Sequence, residues 1–167
     1  DRGAVAVSLS KSVDRIFGLG AKDYFFDNPI KAWFFSTFFN LIPFERQGNF
    51  KQAIQHCQQV LAPSQPVLIF PEGTRSINGE LQKFQPGVGL LALKLNVPIV
   101  PVYIHGTYQA LPKGNWFARR SQIRVIYGAP IEISSYKTKL SEFTESDVSK
   151  IIVNDLQTMI VQLQNNV

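Results

Sequence analysis

The chain has 167 residues and a mass of 18.8 kDa, with 17 Lys and Arg against 12 Asp and Glu, a formal charge of +5. At 45% apolar and 17% charged it is neither a disordered segment nor a polar tail, and its length suits one domain with a hydrophobic core of its own. Its one cysteine, Cys57, excludes a disulfide framework within the chain and fits an intracellular site, while no apolar run reaches the roughly 18 residues of a membrane-spanning helix.

The chain opens Asp1-Arg2-Gly3, with neither an initiator Met nor a signal peptide, so residue 1 is expected not to be the natural start. Residues 4–12 are small and apolar enough for a helix, and 15–21 read as a short strand ended by glycines. Pro29 suits the first turn of a helix running to about Leu41, which Pro43 would stop. Residues 50–61 carry a helical stripe of Ala53, Ile54, Cys57, Val60 and Leu61, which makes Cys57 an inert core thiol. A short apolar strand follows over 66–70, then a helix over 88–95. Residues 97–104 form another apolar strand whose two prolines suggest an edge or a bulge, and 122–127 a third. Thr144 begins the last helix, with Asp147 as a variant capping box and Val148, Ile151, Ile152, Leu156, Met159, Ile160 and Leu163 as its stripe. Strands apolar on both faces alternate with helices. The expected fold is therefore α/β, a single layered domain with a largely parallel central sheet flanked by helices.

Charge and aromatics are both clustered. Residues 81–131 hold six basic side chains (Lys83, Lys94, Lys113, Arg119, Arg120 and Arg124) and no acidic one. This block suits an anionic partner, or a solvated basic surface. Nine of the twenty aromatics lie between Tyr24 and Phe44. A helix there is deeply buried or lies at a membrane surface. Around Trp116 and Phe117 the loop 113–120 again sets aromatics beside basic groups, as at a lipid headgroup boundary or against single-stranded nucleic acid. Two such clusters favour lipid.

Directly after the strand over 66–70 stands Phe70-Pro71-Glu72-Gly73-Thr74-Arg75-Ser76. A buried strand here breaks into a tight turn, and ligands of open α/β sheets bind beyond the C-terminal ends of strands. The turn offers a carboxylate, a permissive glycine, two hydroxyls and a guanidinium whose planar fork suits phosphate. An ordinary turn with a solvated Arg is the plain alternative.

The heptad FPEGTRS resembles the third signature block of the glycerolipid acyltransferase superfamily, the lysophosphatidate and glycerol-3-phosphate acyltransferases. Phe44-Glu45-Arg46 looks like the second block, whose Arg, in the family, helps bind the acceptor's phosphate. Residues 97–102 (VPIVPV) look like the fourth block, a strand near the acyl site. Phe84-Gln85-Pro86-Gly87 stands where the family often has Phe-Lys-x-Gly, and Gln85 replaces the Lys. The resemblance spans residues 1 to about 131.

The family's first block is a His, four residues, then an Asp that orients the His as general base toward an acceptor hydroxyl. His56 and His105 both lack an Asp five residues on. Asp1 precedes a small-residue segment, then the acidic-aromatic stretch Asp23-Tyr24-Phe25-Phe26, which is the spacing expected of that Asp. The resemblance therefore implies a domain spanning 1–167 that is truncated within its His-x4-Asp motif, its His five residues before Asp1. The other readings are a base-free relative, or His105, at a strand end, as replacement base.

The resemblance implies transfer of a fatty acyl group from acyl-CoA or acyl carrier protein to the hydroxyl of glycerol-3-phosphate, lysophosphatidate or another lysophospholipid. Asp1 is the catalytic residue within the chain, so the chain by itself is expected to be nearly inactive. Arg46 and Arg75 clamp the acceptor phosphate, Glu72 and Gly73 shape the turn, and Thr74 and Ser76 add donors. No metal or cofactor is expected. The expected location is peripheral, on the cytoplasmic face of a membrane. The alternative is a non-catalytic phospholipid-binding member of the same fold. A nucleic-acid partner leaves FPEGTRS unexplained and is not expected.

Overall fold

The computed structural model describes residues 16–21, 27–30, 32–33, 40–44, 50–62, 65–74, 76–112, 114–115, 117 and 119–167. They fall into two compact units, residues 2–70 and 71–167. The helix expected over 4–12 lies outside the described residues.

In the first unit, β1 (Phe17–Ala21) is the middle of a parallel sheet, with β2 (Leu41–Phe44) on one side and β3 (Val67–Leu68) on the other. Gly18 faces both Leu41 and Leu68 across the two ladders. Parallel strands need a long crossover, and α1 (Phe50–Leu61) lies in the one that runs from β2 past β1 to β3, packing beside β2 and β3. Its stripe is as expected: Ala53 and Cys57, one turn apart, are buried. Burial pushes the Cys57 thiol up to about 11, so it stays protonated and unreactive near neutral pH.

Pro29 does sit in a first helical turn. The Asn28 side chain accepts from the Ile30 N–H at 2.8 Å, and its carbonyl from the Ala32 N–H at 2.9 Å. Ile30 and Trp33, three apart and so on one face, are 75% and 63% exposed. The expected extent was wrong at its far end. Asn40 is left-handed (φ 46°), and Leu41 opens a strand instead of ending a helix. Ile42 precedes a proline, which disfavours helical backbone, and Pro43 is tolerated because β2 flanks the described sheet on one side only.

The second unit comprises α2 (Gly87–Leu95), β4 (Val102–His105), α3 (Thr107–Ala110), β5 (Arg124–Tyr127), α4 (Ser134–Lys137), a 3-10 turn (Thr138–Ser141) and α5 (Glu145–Asn165). β4 and β5 pair antiparallel, with His105 opposite Arg124. The strand expected over 97–104 is interrupted: Ile99 bridges only to Ile131, and Pro101, which has no N–H to give, accepts from the Gly128 N–H at 2.8 Å. α5 begins as expected, with Thr144 Oγ1 accepting from the Asp147 N–H. Its buried face is Val148, Ser149, Ile152, Val153, Leu156 and Ile160. Ser149 and Val153 are there because α2 crosses close by: a Cβ on Gly89 would collide with the Ser149 carbonyl oxygen, and Ser149 Oγ donates to the Pro86 carbonyl at 2.7 Å. The core joins α5 to Phe84, Ala92, Leu93, Ile131 and Ile133.

Candidate active site

The turn after β3 is shaped by its glycine. Gly73 has φ +69°, a conformation that costs a residue with a Cβ roughly 1–2 kcal/mol. Two hydrogen bonds then fasten the turn to residues 82–85. The Gln82 N–H donates to Glu72 Oε2 at 2.8 Å, and the Gln85 N–H to the Pro71 carbonyl, also at 2.8 Å. Between those two donors lies Phe84, 3% exposed in the core with Ile131, Val153, Leu156 and Ile160. The clamp on the turn is thus rooted in the core, which is how a site is held rigid.

Glu72 is half-buried. Desolvation raises its carboxyl above the usual carboxylate value, and the Gln82 N–H pulls it partly back. The loop that follows is closed on itself. Ser76 Oγ accepts from the Gly79 N–H at 2.8 Å and lies 3.3 Å from Asn78 Oδ1, which accepts its proton. That proton is spent inside the loop. Thr74 is exposed. Asp1, Arg46 and Arg75, which the resemblance places in catalysis and phosphate binding, lie outside the described residues.

Three residues hold the turn and this loop in ways that the sequence did not mark. Gln82 and Gln85 act through backbone N–H groups, which residue type does not announce. Tyr108 acts across 31 positions, its hydroxyl donating to the Ile77 carbonyl at 2.9 Å and its ring lying against Gly79. The signal that could have marked a turn there is the Asn78-Gly79 pair.

His105 ends β4, half-buried, in an open cavity of about 560 Å³ shared with Tyr103, Gln109, Ser121, Gln122 and Arg124. None of the cavity's lining residues is an Asp or Glu, so the carboxylate that would orient an imidazole as base is missing from it. Among the described residues, no three His, Cys, Asp or Glu side chains are grouped to hold a metal ion, and no helix is long and apolar enough to cross a membrane.

The family model described as Acyltransferase matches residues 4–105. A chloroplast 1-acyl-sn-glycerol-3-phosphate acyltransferase of Arabidopsis thaliana is 33% identical over 128 residues, 75% of this chain and 35% of the relative. A chloroplast protein of Brassica napus with the same activity in its name is 32% identical over 106 residues, 62% of this chain and 30% of its own length. The chain thus spans about a third of these relatives. The crystal structure of the 1-acyl-sn-glycerophosphate acyltransferase of Thermotoga maritima shares the fold, with a TM-score of 0.55 and 20% identity, over 86% of this chain and 56% of that one.

Proposed function

The chain belongs to the Acyltransferase family, and from that premise we propose that it is the core of an enzyme that moves a fatty acyl group from a thioester to the free hydroxyl of lysophosphatidate. The thioester is acyl-CoA or acyl carrier protein. The observation that carries the reading is the turn that opens the FPEGTRS heptad after β3, fastened to the core of the second unit through Glu72 and Pro71.

In this mechanism a His five residues before Asp1 takes the proton of the acceptor hydroxyl, and Asp1 fixes its tautomer and stabilises the imidazolium. The hydroxyl oxygen attacks the thioester carbonyl, the C–S bond breaks, and the proton passes from the imidazolium to the leaving thiolate. Arg46 and Arg75 hold the acceptor phosphate, each guanidinium offering paired donors. Glu72, with Oε2 engaged by Gln82, keeps Oε1 for a glycerol hydroxyl. Because the acceptor is a lipid, the work is done at a membrane surface.

The test is to read the gene upstream of the Asp1 codon and assay the extended protein with lysophosphatidate and acyl-CoA. A His codon five positions before Asp1, and turnover that His→Ala lowers by about 100- to 10,000-fold, are expected. Another residue there, or no turnover with phospholipid binding retained, would replace the enzyme by a non-catalytic lipid binder of the same fold.

A further inference from the structure

We propose that the second unit carries a docking surface for an anionic phospholipid bilayer, assembled around α3 from Ile77, Leu111, Phe117, Arg119 and Arg120. The lipid acceptor of the proposed function gives such a surface its purpose, but the surface is argued from its own residues.

α3 is a single turn, about 6 Å long. Near its start the Tyr108 hydroxyl holds the Ile77 carbonyl at 2.9 Å. At its end the Ala110 carbonyl accepts from the Arg119 N–H at 2.7 Å. Two loops some forty positions apart are thereby hung on one helical turn. The neck of the second loop is tight: Ser121 Oγ donates to the Gly106 carbonyl at 3.1 Å, and a Cβ on Gly106 would collide with the Gln122 carbonyl oxygen.

The side chains these loops present are unusual for water. Phe117 is 85% exposed and Ile77 74%, and Leu111 at the end of α3 is 37% exposed. One exposed apolar side chain is ordinary; three on loops hydrogen-bonded to one helical turn are what the proposal rests on. Arg119 and Arg120 beside them are exposed. The acid on these loops is Glu80, and its Oε2 already accepts from Asn78 Nδ2 at 2.6 Å. From 81 to 131 the chain holds no Asp or Glu. Apolar side chains that enter the headgroup boundary beside arginines that pair with phosphate fit an anionic bilayer; a protein partner of mixed charge would be met by both signs.

The test uses the full-length protein as Phe117→Cys, with any cysteine outside residues 1–167 replaced by Ser, labelled with the polarity-sensitive fluorophore NBD; Cys57 is fully buried and escapes the label. With phosphatidylcholine vesicles containing phosphatidylglycerol, the emission is expected to shift to the blue. Pure phosphatidylcholine should leave it unchanged. Arg119→Gln with Arg120→Gln should weaken partitioning by about 30-fold. An emission that stays at its aqueous position on anionic vesicles overturns the proposal. So does a label already shielded without lipid, which would mean that protein covers Phe117, and so does partitioning indifferent to the two arginines. No acceptor or thioester is present, so failure here leaves acyl transfer standing, and failed acyl transfer leaves the surface standing.

Discussion

The Tyr108 hydroxyl donates to the Ile77 carbonyl at 2.9 Å, and the Tyr108 ring occupies the space beside Gly79, where a Cβ would lie 2.9 Å from a ring carbon. Tyr108→Phe removes that hydrogen bond and is expected to cost about 1 kcal/mol in a denaturant melt. Gly79→Ala meets both the ring and a φ of +86°, and is expected to cost about 1–3 kcal/mol. On the proposed function, Tyr108→Phe in the full-length protein should raise KM for lysophosphatidate while kcat changes little, because it loosens the loop after the turn at 71–76.

Glu72 separates shape from charge. Glu72→Gln keeps an oxygen for the Gln82 N–H and should preserve stability near neutral pH. Glu72→Ala strands that N–H, at a cost of about 1–3 kcal/mol if no water replaces the carboxylate. The folded carboxyl titrates above 4.5, so the folded state favours the proton. Its favourable contribution is complete below 4.5 and is lost as pH rises through the folded value. Stability measured from pH 4 upward should therefore fall in the wild type relative to Glu72→Gln, and parallel curves would contradict the burial of this carboxyl.

The α2–α5 contact predicts a steep response to volume. Gly89→Ala drives a methyl group into the Ser149 carbonyl and should cost about 1–3 kcal/mol. Ser149→Ala loses the bond to the Pro86 carbonyl, but that carbonyl keeps the Leu90 N–H at 3.2 Å, so the cost should stay near 1 kcal/mol. Thermal unfolding of the two variants distinguishes crowding from a lost hydrogen bond.

At the start of α5, Thr144 hydrogen-bonds Asp147 by both backbone and side chain, and Lys150 reaches Asp147 at 3.1 Å. Together they hold the Asp147 carboxyl below 3.8, the Thr144 bond being the larger cause. The stabilisation is therefore present above pH 3.8 and lost as pH falls through the folded value. Thr144→Ala should cost about 1 kcal/mol at pH 7. It should also move the Asp147 titration, followed by NMR, back toward 3.8.

The elements legible in the sequence were those fixed by local pattern. The stripe of α1 and the Thr144 cap needed only neighbours within a turn or two, and of the strand expected over 66–70 only Val67 and Leu68 form β3. What escaped was set at long range. Nothing near Ser149 says that it is buried; the reason is Gly89, sixty residues earlier. Pro43 disfavours helix at Ile42 but does not make Leu41 a strand; the reason is β1, whose Gly18 pairs with it. In the candidate site the residue types were readable from the heptad itself. The clamps on it were not, because they come from backbone N–H groups of Gln82 and Gln85 and from a tyrosine on another element.

The pinched neck between Gly106 and Ser121–Gln122 also bears on how this chain can change over evolutionary time. Everything from Thr107 to Arg120 leaves and returns through one narrow gate, so β4 and β5 stay in register whatever the excursion contains. Lengthening such a closed excursion costs little, since closure entropy grows only with the logarithm of its length. Beyond Tyr108, which is tied to the Ile77 carbonyl, this stretch is therefore where insertions and changes of charge can accumulate.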